Sequence, residues 1–171
     1  SSIKGMCFLD SQSRLIVNQY ATKPLDEEIA IPDYDFFEEG LLDRPELLRN
    51  YFVKAENWGD YFFYDERASE PHRRRNIAQV PTTKGCTARC TFCQRSTKGY
   101  RKVRLDTLER HLVEIIEKYD VGFIEVLDEN FGSRKDHAYA FADLMKKYDL
   151  LWMAGGVRCT NVVEADIVYY K

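Results

Sequence analysis

No stretch of this chain approaches the roughly 18 consecutive apolar residues that span a bilayer, and no secretory signal pattern opens it. Charge of one sign is not in excess: 25 Lys and Arg stand against 28 Asp and Glu, a net charge of −3. That balance gives no case for nucleic acid or an anionic membrane as an obligatory partner. Low-complexity segments are missing, and so is any internal repeat beyond a strand–helix rhythm. Cysteine is scarce and odd in number, five with three of them clustered, which is poor arithmetic for a secreted disulfide framework. Reduced thiols and a metal site fit the cytoplasm, the expected location. A composition of 44% hydrophobic and 31% charged residues is that of an ordinary globular chain. At 171 residues it is one domain or parts of two, and its start at Ser1-Ser2 is expected to be a cut or processed end.

Residues 3–8 and 14–20 carry β-branched and aromatic residues around a polar turn at Asp10-Ser11-Gln12-Ser13, the pattern of a hairpin. Residues 24–76, with Pro24, Pro32, Pro45 and many acids, form an irregular linker. It contains a short helix near 45–53, where Pro45 suits the first turn. Tyr61-Phe62-Phe63-Tyr64 is too aromatic for solvent and is expected to pack on the domain C-terminal to it. His72-Arg73-Arg74-Arg75 is a basic spike before a strand at 77–80.

From there strands and helices alternate. Leu105, Leu108, Leu112, Ile115 and Tyr119 make one apolar helix face, with Asp106 and Glu109 as a capping box. A strand runs from Gly122 to Asp128. A second helix runs from about Arg134 to Lys147, capped by Ser133, with Ala138, Phe141, Met145 and Tyr148 inward. Leu150 to Ala154 is a third strand, nearly all apolar, as in a parallel strand covered on both faces. Asn161 and Glu164 start a third helix. Such alternation implies right-handed crossovers and a parallel sheet. A closed eightfold βα barrel takes about 250 residues, and only about three βα units fit here. The expected class is therefore α/β: a β-hairpin at 1–23, a linker at 24–76 and an incomplete βα barrel at 77–171. Its third strand would have an unpaired edge that favours association.

Cys86-Thr-Ala-Arg-Cys90-Thr-Phe-Cys93 packs three thiols into one short loop, with three and then two residues between them. A cubane iron–sulfur cluster normally takes four cysteine ligands, so three leave one iron open to a small molecule. Thiolates are the soft, anionic donors such clusters require. The loop follows a predicted strand, at the carboxyl end of the sheet where ligands of parallel βα folds collect. Structural zinc is the alternative. It usually takes four Cys or His ligands, and His72, His111 and Cys159 all lie outside the local spacing of a finger or ribbon.

The CxxxCxxC spacing, with Phe92 just before the third thiol, resembles the signature of the radical S-adenosylmethionine (radical SAM) enzymes. The resemblance implies a 4Fe–4S cluster on Cys86, Cys90 and Cys93, with its open iron chelated by the amino and carboxylate groups of S-adenosylmethionine. Reductive cleavage of that sulfonium to methionine and a 5′-deoxyadenosyl radical follows from the same resemblance. So does contact of Asp128, Glu129 and Asn130 with the cofactor ammonium, in a turn that replaces the Gly-Gly-Glu form common in the family. Phe92 is expected to touch adenine or to pack.

This acidic turn, the run Cys93-Gln-Arg-Ser-Thr-Lys-Gly-Tyr-Arg101 and the segment Pro32-Asp-Tyr-Asp-Phe36 resemble the branch that pairs the radical domain with a cobalamin-binding domain. On that resemblance, residues 1–23 are the tail of an upstream cobalamin domain and residues 77–171 the N-terminal part of a radical SAM (β/α) partial barrel. The implied function is radical chemistry on a small organic substrate, with methyl transfer where cobalamin takes part. An electron donor such as flavodoxin or ferredoxin is the implied partner. The segment alone is expected to be inactive or weakly active. A non-catalytic iron–sulfur or zinc module and a tRNA-modifying radical enzyme are the competing readings, and the acidic balance weighs against the second.

Arg95, Lys98, Arg101, Lys102 and Arg104 are expected to form a solvated face, with a charge-assisted bond to a cofactor carboxylate or substrate phosphate as the alternative. His111, His137, Cys7 and Cys159 are expected in core or surface roles, and Trp58 and Trp152 in packing.

Overall fold

A computed structural model describes residues 5–18, 31–54, 67, 70–73, 76–93 and 99–171. Two short strands open it: β1 (Cys7–Leu9) and β2 (Leu15–Val17) pair antiparallel with Phe8 opposite Ile16. The Asp10 carboxylate closes their turn by accepting from the backbone N–H groups of Gln12 and Arg14 at 2.8 and 3.0 Å. Next come α1 (Tyr34–Gly40), a 3-10 turn (Pro45–Asn50) and β3 (Val53–Lys54). The chain continues through β4 (Asn76–Val80), β5 (Thr83–Cys86), β6 (Gly99–Lys102), α2 (Leu105–Tyr119) and β7 (Val121–Val126). It ends with α3 (Lys135–Lys147), β8 (Leu151–Ala154), a 3-10 turn (Cys159–Asn161) and α4 (Glu164–Tyr170).

The main sheet has the order β3-β4-β7-β8. β4, β7 and β8 run parallel, and β3 joins β4 antiparallel at one edge. This is a mixed α/β fold with a parallel sheet, as the strand–helix alternation predicts. Ala78, Val80, Val121, Ile124 and Val126 fill one face of the sheet. They meet Leu108, Leu112 and Ile115 of α2 and Ala138, Phe141 and Met145 of α3. Ile77, Phe123 and Leu151 are buried on the other face with Met153 beside them. Apolar residues on both faces explain the near-continuous hydrophobic strands. α4 is tied to α3 through buried Asp166, whose carboxylate accepts from Lys135, the Tyr139 hydroxyl and, at 2.8 Å, the Val163 amide. These donors hold its carboxyl down to about 2.

Several local expectations are corrected. The linker is not irregular throughout: Asp33 accepts from the Phe36 amide at 3.3 Å and caps α1. Tyr34 of that helix is buried against Phe52, their rings 5.0 Å apart, and Phe52 stacks on Tyr119 of α2 at 3.9 Å. Only a 3-10 turn forms after Pro45. Asp106 and Glu109 make no capping box. Asp106 lies inside the first turn, where its carboxylate is taken by the Arg104 guanidinium at 2.8 Å and the Thr107 amide at 2.9 Å. Glu109 instead accepts from Lys147 and Tyr148. Arg134, not Ser133, occupies the cap position of α3, and α4 starts at Glu164 after a separate 3-10 turn that ends at Asn161. Leu105 is partly exposed, while Leu108, Leu112 and Ile115 are buried. The expected packing of Tyr61-Phe62-Phe63-Tyr64, and of Trp58, lies outside the described residues. No helix among the described residues is long and apolar enough to cross a membrane.

His111 is buried in α2 with its ring stacked 5.6 Å from Tyr34, and its Nε2 has no hydrogen-bond partner among the described residues. Burial lowers its pKa from 6.5 to about 4. Because the folded value is depressed, the stability tied to neutral His111 is complete above about pH 6.5. It falls as acidification protonates the unfolded chain first, by about 3 kcal/mol on reaching pH 4. Urea melts at stepped pH should show that slope, and His111→Phe should flatten it. Buried His137, shifted in the same direction, should leave a residual slope of the same sign.

Candidate functional site

The cysteine run is carried on a β-hairpin. β5 and β6 pair antiparallel, with Thr83 opposite Lys102, Gly85 opposite Tyr100 and Cys86 opposite Gly99. Cys86 therefore closes the ladder, while Cys90 and Cys93 stand in the connecting loop. Gly85 has a φ of +86°, and a Cβ there would meet the Gly99 carbonyl oxygen at 2.2 Å. The thiol loop thus springs from a backbone contact that only glycine permits.

Cys86 is half-buried and Cys90 and Cys93 are exposed, all as free thiols. The Ala88 amide donates to Cys86 Sγ at 3.4 Å, and the Cys93 amide to the Cys90 carbonyl at 3.1 Å. The three thiols share one loop without closing on a common point. Among the described residues no group of three or more His, Cys, Asp or Glu side chains forms a metal cage. As a donor set they still fit an iron–sulfur cluster, since all are reduced, soft and at least partly accessible.

Below this tip, the hairpin base is anchored by one buried carboxylate. Asp128 Oδ1 accepts from the consecutive amides of Thr82 and Thr83 at 2.7 and 2.8 Å, and its Oδ2 accepts from the Thr82 hydroxyl at 2.6 Å. Both Asp128 and Thr82 are buried. The Thr82 carbonyl accepts from the Val103 amide at 2.9 Å and lies 3.1 Å from His137 Nε2. Burial of His137 in α3 pushes its pKa below the ordinary value. A neutral ring suits the contact, with Nε2 donating to the carbonyl.

The turn after β7 presents its three expected cofactor residues differently. Asp128 is occupied by the threonines, whereas Glu129 is exposed. Asn130 is fully buried: its Oδ1 accepts from Asn161 Nδ2 at 2.8 Å, and its own Nδ2 has no partner among the described residues. The Phe131 amide donates to the Gly156 carbonyl at 2.7 Å, and a Cβ on Gly156 would lie 2.0 Å from the Asp128 carbonyl oxygen. Phe92 is 90% exposed and packs on no core among the described residues. Arg101 donates to the Tyr100 carbonyl at 2.8 Å, Lys102 pairs with Asp136 at 3.7 Å and Arg104 with Asp106. Arg95 and Lys98 lie outside the described residues.

Thr82, Gly85, His137, Gly156 and Asn161 went unmarked in the sequence as parts of this site. The glycine directly before the first thiol was the available signal for Gly85. A separate cavity of about 540 Å³ runs along the β8 edge past Trp152, Met153, Val157 and Tyr170. None of the cysteines, Phe92, Asp128, Glu129 or Asn130 lines it.

No family model matches the chain. A cytidylyl-2-hydroxyethylphosphonate methyltransferase from Streptomyces wedmorensis is 28% identical over 79 residues, covering 44% of this chain and 15% of that protein. The solved structure of the apo, selenomethionine-labelled cobalamin-dependent S-adenosylmethionine radical enzyme OxsB overlays 99% of this chain and 22% of that one. Its TM-score is 0.56 at 16% sequence identity. At that identity the overlay shows a shared fold. The chain spans less than a quarter of either relative's length, 15% and 22%. The resemblance seen in the cysteine spacing and acidic turn is thus matched by the fold of a cobalamin-dependent radical SAM enzyme.

Substituting Gly85 tests the hairpin. Gly85→Ala should strain the backbone by about 1–3 kcal/mol and open the β5–β6 ladder. Faster amide exchange confined to 83–86 and 99–102 is the expected result, with α2 and α3 unchanged.

Proposed function

We propose that this chain is the cluster-bearing portion of a radical SAM enzyme, with Cys86, Cys90 and Cys93 as ligands to a 4Fe–4S cluster. The observation that supports this most is the hairpin itself. It carries three free thiols at its tip, and its base is bonded directly to the carboxylate turn at the carboxyl end of a parallel sheet. When bound, such a cluster supplies the low-potential electron that cleaves the sulfonium C–S bond of S-adenosylmethionine to methionine and a 5′-deoxyadenosyl radical.

The chain's own residues divide the remaining work. The three thiols lose their protons to become ligands, and the Ala88 amide stabilises negative charge on Cys86 Sγ. Glu129, whose carboxylate is exposed, receives the cofactor ammonium, and buried Asn130 holds that turn against Asn161. Phe92, exposed beside the third thiol, would pack on the adenine. The whole protein acts on a small organic substrate in the cytoplasm, drawing electrons from a flavodoxin- or ferredoxin-like donor. The cobalamin dependence named for OxsB and the methyltransferase name of the other relative favour methyl transfer through cobalamin. Residues 1–23 then belong to the end of a cobalamin domain, and residues 77–171 to a partial barrel.

Anaerobic reconstitution with iron and sulfide, followed by metal analysis and electron spin resonance, tests the assignment. The expected outcome is about four irons per chain and a reduced-cluster signal that changes when S-adenosylmethionine is added. Alanine at Cys86, Cys90 or Cys93 should abolish it, and Cys7→Ala or Cys159→Ala should not. Tight zinc without iron uptake would refute the proposal. A cluster indifferent to S-adenosylmethionine would mark a non-catalytic electron carrier.

A further inference from the structure

We infer that Asp128 is a positioning residue: its buried carboxylate fixes the base of the thiol hairpin to the turn that carries Glu129, so that the two halves of the site keep one relative placement. The inference rests on the proposed cluster role of the three thiols and assigns Asp128 a different task from cofactor contact.

The geometry is that of a clamp. Two consecutive amides, Thr82 and Thr83, converge on the same oxygen, Oδ1, in the manner of a small anion-binding nest. The second oxygen is taken by the Thr82 hydroxyl. All three bonds are 2.6–2.8 Å long, the range of charge-assisted hydrogen bonds. They link positions 45 and 46 residues apart, so no local turn can replace them. Thr82 is also held from its carbonyl side by Val103, just after β6, and by His137 on α3. Every polar atom of Thr82 is therefore committed, and the hairpin leaves the sheet in one direction. Beyond Thr82 and Thr83 the chain reaches Cys86 within one short strand. On the other side of the clamp, Asp128 is directly followed by exposed Glu129. One side chain thus sets the placement of the metal loop against the acceptor turn.

The bonds removed by each substitution differ, which gives the test its resolution. Asp128→Ala deletes all three acceptor contacts. Asp128→Asn keeps an oxygen for the two amides and presents an N–H₂ to a hydroxyl that also accepts. Thr82→Val removes the hydroxyl alone. In the metal-free 171-residue chain, amide exchange at Thr82 and Thr83 should accelerate about tenfold or more in Asp128→Ala and by much less in the other two. After anaerobic reconstitution, iron per chain should fall about fivefold in Asp128→Ala and stay within about twofold of the parent in Asp128→Asn and Thr82→Val.

A direct cofactor role predicts the reverse pattern: full iron in every variant, unchanged exchange at Thr82 and Thr83, and loss of the S-adenosylmethionine response in Asp128→Asn as much as in Asp128→Ala. That result would overturn the inference. Should Asp128→Ala fail to fold, the other two variants decide. Retention of iron, of hairpin exchange and of the S-adenosylmethionine response in Asp128→Asn supports the clamp, and loss of any of the three refutes it. If the parent chain takes up no iron, the proposed function fails by itself, while exchange in the metal-free protein still decides whether Asp128 holds the hairpin.

Discussion

Buried without a cationic partner among the described residues, the Asp128 carboxylate has its charge balanced by two amides and a hydroxyl. An uncompensated buried carboxylate is strongly unfavourable. With three short bonds made, it becomes a directional anchor, because hydrogen bonds to charged groups contribute about 1.5–3 kcal/mol each. Those bonds join the turn after β7 to the start of β5, across the point where the chain leaves the sheet. The thiols, the exposed acid and the neutral histidine of α3 are all ordered around that junction.

The two arms of the junction differ in stiffness for reasons visible in their packing. In the ladder and in the turn after β7, backbones approach closer than any side chain allows: Gly85 against the Gly99 carbonyl and Gly156 against the Asp128 carbonyl. At the tip, Cys90 and Cys93 are exposed, and the loop is held by contacts such as the Ala88 amide on sulfur and one turn bond. A fixed base with an open tip leaves the exposed thiols room to move relative to one another while the hairpin keeps its origin. A tip closed by its own side chains would need those contacts broken first.

Much of the scaffold was legible because periodicity is a property of sequence. Leu108, Leu112 and Ile115 recur at helical spacing and are buried, and the strand at 121–126 is largely apolar because both of its faces are covered. Where the reading failed, a competing partner decided. Asp106 looks like a cap until the neighbouring Arg104 guanidinium takes its carboxylate. The β5–β6 hairpin stayed hidden because its strands carry two glycines, Gly85 and Gly99, and three cations, Lys84, Arg101 and Lys102, in place of the usual apolar alternation. The acidic turn shows the same limit: residue type predicted an acceptor at Asp128 but not the direction it faces. The alternation of β7 runs past its last strand residue, with Val126 buried, Leu127 exposed, Asp128 buried, Glu129 exposed and Asn130 buried. Counting by two from the strand separates the inward acid from the outward one.

Polarity along the sheet follows the same logic. On the face away from α2 and α3, the row Ile77, Phe123 and Leu151 is apolar and buried. The next row toward the strand ends pairs Gln79 with Glu125 at 2.7 Å, beside Met153. Further along, the alternation leaves Glu129 exposed and turns Asp128 inward. Side chains at the strand ends have no next residue of sheet to pack against, so polar groups are tolerated there and excluded lower down. The parallel direction of β4, β7 and β8 gathers all of these ends on one side, and the cysteine hairpin, leaving from β4, is delivered to that side by the sheet itself.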